Sequence, residues 1–513
     1  MRPPVVAAIL IVVTGLLAMP PTFARDSPAP AAAGAWTVEP VAYFGGSAPP
    51  DLALDSAGTP SVLYCPPGDS RLAVRAAAAW TNEHLQFTPF GGICGDLALG
   101  PDDTPHATTP YATALGCVAY GVRLGGGWDF SCFPGGVMDA VDSLGRPHAV
   151  TYWTITATRY DLRLLWRESD GSWQFETVEP NALSAFPSLR WYSMALDAAD
   201  HPRILYYDSV RGDVRYASRD ASGWHVEVVE HIGALNIVGR EGSLALAPDG
   251  TPHAAYTVRT GPRTSEVRYA VRGSAGWASE AVSRPPPAYG GGGLSPSVAV
   301  GAAGPVVLYG FNEQLTAIPT SFNYDLIFAA KGPSGWEDEI AYDGHLFLNV
   351  LSDPSDDDLD APQFPAMVLD HCGNPHAAVY LNNRVGAATN SGVYYLTKGE
   401  CSPSTATASL RVEPRTLNLR SKGKWITAMV TLEGATTADV ALSGLAVNGV
   451  APDKVQVLND TVLQLKVSRE DFMDTLPDPP KFGVAVAVTL TGKWKDGGDF
   501  TATDTIRILK PGR

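Results

Sequence analysis

The residues through which this chain could do chemistry are its cysteines, four proline-linked histidines, one aspartate run and a group of arginines. His106, His148, His253 and His376 each follow a proline, at Pro105, Pro147, Pro252 and Pro375. Imidazoles can ligate a metal, but these four fall one to a repeat, and that placement predicts a hydrogen-bonded structural role. The run SDPSDDDLDAP (352–362) carries Asp353, Asp356, Asp357, Asp358 and Asp360. Hard oxygen donors on a loop suit calcium. Without EF-hand spacing the run reads as a solvated acidic insertion, with calcium as the alternative and no other cofactor expected. Arg159, Arg163, Arg190, Arg203 and Arg215 fall close together in the chain. Arginines that converge would hold a carboxylate in bidentate fashion. There is no GxSxG segment to expose a serine nucleophile.

The cysteines are Cys65, Cys94, Cys117, Cys132, Cys372 and Cys401. An even number of them behind an export signal predicts disulfides, and six allow 15 pairings. Cys117 and Cys132 flank one hairpin and are expected to pair. Sequential pairing would then give Cys65–Cys94 and Cys372–Cys401. Zinc is disfavoured because no CxxC pair is present.

These residues are carried by a repeat. Prolines at 60, 105, 147, 202, 252, 305 and 375 are spaced by 45, 42, 55, 50, 53 and 70 residues. Each follows an apolar alternation and a tight turn, as in LALD-SAG-TP at 52–60 and DAVD-SLG-RP at 139–147. Alternation of period two marks a strand, and Asp first with Gly fourth suits a type I turn. Later in each unit an apolar or aromatic residue precedes a tryptophan by eight positions. The pairs are Tyr120/Trp128, Leu165/Trp173, Tyr216/Trp224, Tyr269/Trp277 and Phe328/Trp336. A period near 40–50 residues with several short strands predicts a β-propeller. Tryptophans that recur in every unit are expected to pack between units.

Residues 1–24 read as a secretory signal peptide, with Arg2, an apolar Val5–Leu17 stretch and Thr22-Phe23-Ala24 at the cleavage site. Residues 25–34 read as a Pro/Ala linker. AWTVEPV (35–41) looks like the last strand of a unit lacking its first three strands, and the seventh repeat lacks its last. The two deficits predict a seven-bladed β-propeller over 35–401, closed by the N-terminal strand. After a linker at 402–408, lysine becomes common and further strand patterns follow, so 409–513 is expected to be a separate Ig-like β-sandwich. The fold class is all-β.

The (L)DxxGxPHxxY…GWxxExV units, fullest at 244–282 and 139–178, resemble repeats of exported bacterial β-propellers of the sialidase-like or BNR-like kind. The tail, through VEPRTLNLRSKGKWITAMVTL (412–432) and LTGKWKDGGDFTATDTIRIL (490–509), is similar to an Ig-like accessory domain of secreted bacterial proteins. The resemblance implies architecture more than activity. A sialidase would need three convergent arginines, a Tyr/Glu pair and an acid. The chain has no FRIP-like segment, and its turns depart from the SxDxGxxW Asp-box.

With 53 acidic against 37 basic residues and a net charge of −16, nucleic acid is not an expected partner. No transmembrane segment is expected once the signal is removed, and the secreted or cell-surface chain is expected to be monomeric. Function is expected on the loops of one face. The ligand-binding candidates there are Trp153, Tyr160, Arg190, Trp191, Tyr192, Tyr207 and Asp208, rings beside polar groups that suit an extracellular glycan or protein. No catalytic residue is assigned. The favoured function is non-catalytic binding; a sialidase-like glycoside hydrolase and a structural cell-surface protein are the alternatives.

Overall fold

The structure is a computed structural model. It describes residues 35–509 apart from 45–48, 77–78, 88–94, 113–116, 134–136, 157, 184–191, 234–241, 285–289, 315–321, 347–362, 371, 382–383, 386–387, 390, 400–406, 419–422, 477–481, 484 and 495–498. The signal and linker readings at 1–34 therefore lie outside the described residues. No described helix is long and apolar enough to cross a membrane.

The chain is all-β. Among the described residues of the first part, strands group into four-stranded antiparallel units in chain order. Unit one runs from Asp51 to Phe87, unit two from Leu97 to Cys132 and unit three from Val137 to Leu183. Unit four runs from Tyr192 to His231, unit five from Ser243 to Ala281 and unit six from Gly291 to Leu346. Unit seven takes Gln363–Leu369, Pro375–Leu381 and Gly392–Lys398 from one end of the chain and Trp36–Tyr43 from the other. Trp36 pairs opposite Lys398 and Tyr43 opposite Gly392. First strands of successive units touch from unit one round to unit seven, and that of unit seven touches unit one again. Two parallel pairs, Thr264–Gly291 and Ser265–Gly292, join units five and six. Gly291 and Gly292 lie at φ +120° and +137°, where a Cβ would meet the Asn312 and Ser265 carbonyls.

Second strands begin at the anchor prolines or one residue before, where the missing N–H costs no ladder bond. In units one, three, four and seven the turn ahead of them is built by aspartate at Asp55, Asp142, Asp197 and Asp370. Asp142 Oδ1 accepts from the N–H groups of Leu144 at 3.0 Å and Arg146 at 2.8 Å, and Gly145 follows at φ +76°. Units two and four put Asp103 and Asp200 in that left-handed place, both at φ 62°. Each is held by the neighbouring unit: Ser56 and Ser143 donate their hydroxyls to Asp103 and Asp200 at 2.5 Å. An aspartate tolerates this conformation better than most residues and gains a partner by adopting it.

The anchor histidines sit within their own units, His106, His148 and His253 buried and His376 partly so. His106 Nδ1 meets the Tyr120 hydroxyl at 2.6 Å, His253 meets Tyr269 at 2.6 Å, and His376 meets Tyr395. In unit three the tyrosine position holds Leu165, and His148 turns to Asp142 at 3.1 Å instead.

The tryptophans join units. Trp80 packs edge-on against Tyr395 of unit seven at 5.4 Å, Trp277 against Tyr216 at 5.2 Å and Trp336 against Tyr269 at 5.1 Å. Three residues after the tryptophan sits a glutamate that pairs with a basic residue of the next unit. The pairs are Glu39–Arg75, Glu83–Arg123, Glu176–Arg219, Glu227–Arg272, Glu280–Lys331 and Glu339–Lys398. Unit two carries Ser131 there and has no such pair to unit three among the described residues. The half-exposed pairs are each worth about 0–1 kcal/mol and set register more than stability. Strand Trp36–Tyr43 repeats the device on both sides, with Trp36 on Phe328 of unit six and Glu39 on Arg75 of unit one.

Residues 407–509 form two further four-stranded sheets around one core. In Trp425–Glu433 the alternate residues Ile426, Ala428, Val430 and Leu432 are buried, as period-two patterning requires. The short helix Arg469–Asp474, capped by Ser468, adds Phe472 to that core.

Candidate functional site

Three places at the loop-bearing end of units three and four, or on the ring axis, bring polar and aromatic side chains together. The first is an axial cavity of about 200 Å³, lined by the beginnings of the innermost strands of all seven units. Counting three residues back from the residue paired with each anchor proline gives Asp51, Asp96, Ser193, Ser243, Ser297 and Ala366. In unit three a bulge puts Asp139 at the cavity instead. These oxygens link units. Ser193 accepts from Leu244 N–H at 3.2 Å, Ser243 from Val298 at 3.0 Å, and Ser297 from Met367 at 3.1 Å. Asp51 accepts from Leu97 of unit two at 2.7 Å. Ala366 offers no oxygen to unit one, and the waiting N–H of Leu52 is taken by Asp51 itself at 2.9 Å. No group of three acidic, histidine or cysteine side chains suited to a metal occurs among the described residues.

The second is a charge network between units three and four. Asp208 is fully buried; one carboxylate oxygen accepts from the backbone N–H groups of Val210 and Arg211, both at 3.0 Å. The other oxygen takes the Arg211 guanidinium. Arg215 reaches Asp213 at 3.3 Å and Glu179 at 3.4 Å, and His231 closes on Asp213 at 2.7 Å. Tyr207 donates to the Gly233 carbonyl at 2.8 Å. Burial, with the Glu179 carboxylate beside it, holds the Tyr206 phenol far above its ordinary range. Buried charges need such partners.

The third is an exposed aromatic pair on unit three. Trp153, Arg163 and Phe175 come from three neighbouring strands, Pro147–Thr156, Arg159–Arg167 and Trp173–Leu183. Over the regular pairing of Thr151–Trp153 with Asp161–Arg163 and of Arg163–Leu165 with Phe175–Thr177, odd-numbered residues share one face, because successive side chains alternate. The two rings lie 6.3 Å apart and within 6° of parallel. The Arg163 guanidinium carbon lies 4.8 Å from the Trp153 ring centre and 5.0 Å from that of Phe175. The three points form a triangle, so the cation sits beside the line joining the rings and touches both. Trp153 is 40 % exposed and Phe175 62 %.

Among the described ligand-binding candidates, only Trp153 is exposed. Tyr160, Tyr192, Tyr207 and Asp208 are buried, at strand ends or starts. Tyr192 packs edge-on against Tyr152 and also lines the axial cavity. Tyr160 pairs opposite Leu183 and Thr154 in unit three. Arg190 and Trp191 lie outside the described residues, as do Asp353, Asp356, Asp357, Asp358 and Asp360. The arginines take separate partners. Arg203 pairs with Asp197 at 2.6 Å at the opposite end of its strand, and Arg159 donates to Asn181 at 2.9 Å. Cys65, Cys132 and Cys372 are disulfide-bonded. Cys94 and Cys401 lie outside the described residues, as does the side chain of Cys117. Phe175 is not among the expected binding residues, and Arg163 is expected only as one of a group of arginines that would hold a carboxylate if they converged. Their signal is the alternation, which sets Phe175 and Arg163 on the face that carries Trp153.

No protein-family model and no curated protein matches the chain. Several solved structures share features of its fold. The polysaccharide lyase Uly1 is 11 % identical with a TM-score of 0.42, over 71 % of this chain and 91 % of its own. An ulvan lyase of polysaccharide lyase family PL25, bound to -[GlcA(1-4)Rha3S]-, is 12 % identical with a TM-score of 0.42, over 70 % and 95 %. The intramolecular trans-sialidase from Ruminococcus gnavus is 11 % identical with a TM-score of 0.34, over 68 % and 94 %. At TM-scores below 0.5, none of what these proteins do carries over to this chain.

Proposed function

We propose that this is an exported, non-catalytic binding protein whose seven-bladed β-propeller recognises an extracellular glycan through the loop-bearing face of its third blade. The observation that carries the reading is the exposed, parallel Trp153–Phe175 pair. Large flat apolar rings left in solvent beside polar groups mark binding surfaces. The closed cycle of first strands, and the strand Trp36–Tyr43 supplying the fourth place of unit seven, support seven blades closed at residues 36–43. The two sheets and common core of 407–509 support an Ig-like sandwich. We further propose signal-peptide export, disulfides among all six cysteines including Cys117–Cys132, and a monomer. Calcium at the 352–362 run stays an alternative to a solvated insertion.

A glycan array probed with the mature chain tests the reading. Trp153→Ala is expected to weaken the best ligands by roughly tenfold or more, the scale of an aromatic anchor, with an unchanged melting temperature. Ligands bound equally well by the variant would remove the site. A glycoside hydrolase is the second reading, favoured by Asp51, Asp96 and Asp139 at one axial cavity. Turnover of fluorogenic glycosides that is lost in Asp139→Asn would decide for it.

A further inference from the structure

We infer that the unit-three site prefers glycans that carry a carboxylate, with Arg163 as the residue that sets this preference. The inference rests on the proposed Trp153–Phe175 glycan surface and names its ligand class.

Most arginines of the seven units have a carboxylate at hydrogen-bonding distance, among them Arg71 at 2.7 Å, Arg146 at 2.7 Å, Arg203 at 2.6 Å and Arg268 at 2.9 Å. Arg163 differs. The nearest carboxylate oxygen is that of Asp161, at 4.0 Å, too far for a hydrogen bond. Its Nε is buried and has no hydrogen-bond partner. The side chain is only 15 % exposed, so water does little to replace the missing partner. Nε itself is closed to a ligand, so the fork offered to a planar acceptor is the pair of terminal Nη groups, which no carboxylate of the described residues reaches within hydrogen-bonding distance and which a carboxylate fits in bidentate fashion.

The rings add a second reason. A cation against one side of an aromatic ring draws on its π density. Trp153 and Phe175 both meet Arg163, and both are open to solvent elsewhere. A sugar resting on this pair and bearing an acid group satisfies the stacking and the charge together. A neutral sugar satisfies the stacking alone and leaves the cation as it was. Against a net charge of −16, an anion-selective site requires a specific cation of this kind.

The test compares uronate-containing oligosaccharides with their carboxyl-reduced, neutral counterparts, using the full mature chain and titration calorimetry. The wild type is expected to bind the acidic form about tenfold more tightly, the effect of one charge-assisted hydrogen-bonded contact. Arg163→Gln should abolish that ratio, weakening the acidic form far more than the neutral one. Arg163→Lys, which keeps the charge without the fork, should restore only part of the ratio. Trp153→Ala should weaken both forms. An unchanged ratio in Arg163→Gln, or a wild type indifferent to the carboxylate, overturns the inference and leaves the glycan surface standing. A wild type that binds neither form overturns both.

Discussion

The turn and anchor residues link pH to stability through burial. Desolvation draws the buried His106 imidazole down to about 4, against Asp102, which acts the other way. His148 and His253 are lowered by the same cause. A histidine whose folded pKa lies below its unfolded value is neutral in the fold while the unfolded chain takes up a proton. Stability is therefore complete above the unfolded pKa of 6.5 and falls as pH drops toward about 4. Each such group contributes at most about 1.4 kcal/mol per pH unit across that window. Burial alone would raise the Asp142 carboxyl, but the Arg146 N–H, His148 and the Arg146 guanidinium outweigh it and keep it low. Its contribution is lost at still lower pH, so both effects have the same sign. His106→Gln should flatten part of the acid-side slope in urea midpoints measured from pH 7 to pH 4. A slope unchanged in the variant would assign the loss to other groups.

Among the elements, the strand Trp36–Tyr43 has the largest consequence. It fills the outer place beside Gly392–Lys398 and carries Trp36 and Glu39 to its two neighbours. Without it, Gly392–Lys398 would present an unpaired edge, a template for pairing with another chain. A chain that begins at residue 44 should melt lower and elute as higher oligomers in size-exclusion chromatography. Monomeric elution with the wild-type melting temperature would show that closure does not depend on this strand. The other joins use small parts: serine to backbone at the axis, serine to left-handed aspartate at the turns, and Trp–Glu to aromatic–basic pairs at the rim.

For the whole molecule, covalent links add to these joins. Cys65, Cys132 and Cys372 are bonded, and the described residues contain no free cysteine. Thiol labelling of the mature, unfolded but unreduced protein should find no reactive thiol. Stoichiometric labelling of all six positions would contradict the disulfides and count against the proposed export. Reduction should lower the melting temperature, since removing a native disulfide typically costs 2–5 kcal/mol.

The repeat was legible in the sequence because its parts act locally. Alternation, the Asp-x-x-Gly turn, the proline start and the Trp-x-x-Glu outer strand each report on neighbours a few residues apart. The incomplete unit at each end pointed to one another for the same reason. Even the role of the histidines could be read, since each meets a tyrosine or aspartate of its own unit. The site was not legible in that way. Tyr207 and Asp208 read as surface loop residues, yet burial and the Arg211 and Arg215 guanidinium groups turn them into structural parts. Phe175 reads as an ordinary strand member and Arg163 as one of several arginines close together in the chain, and only lateral pairing brings the two to Trp153. The axial position, where Asp51 and Ser243 accept from the next unit and Ala366 does not, exists only in a closed ring. Short-range patterning decided the elements; which side chains were buried, paired or left open depended on residues tens to hundreds of positions away, and only the folded chain brings those together.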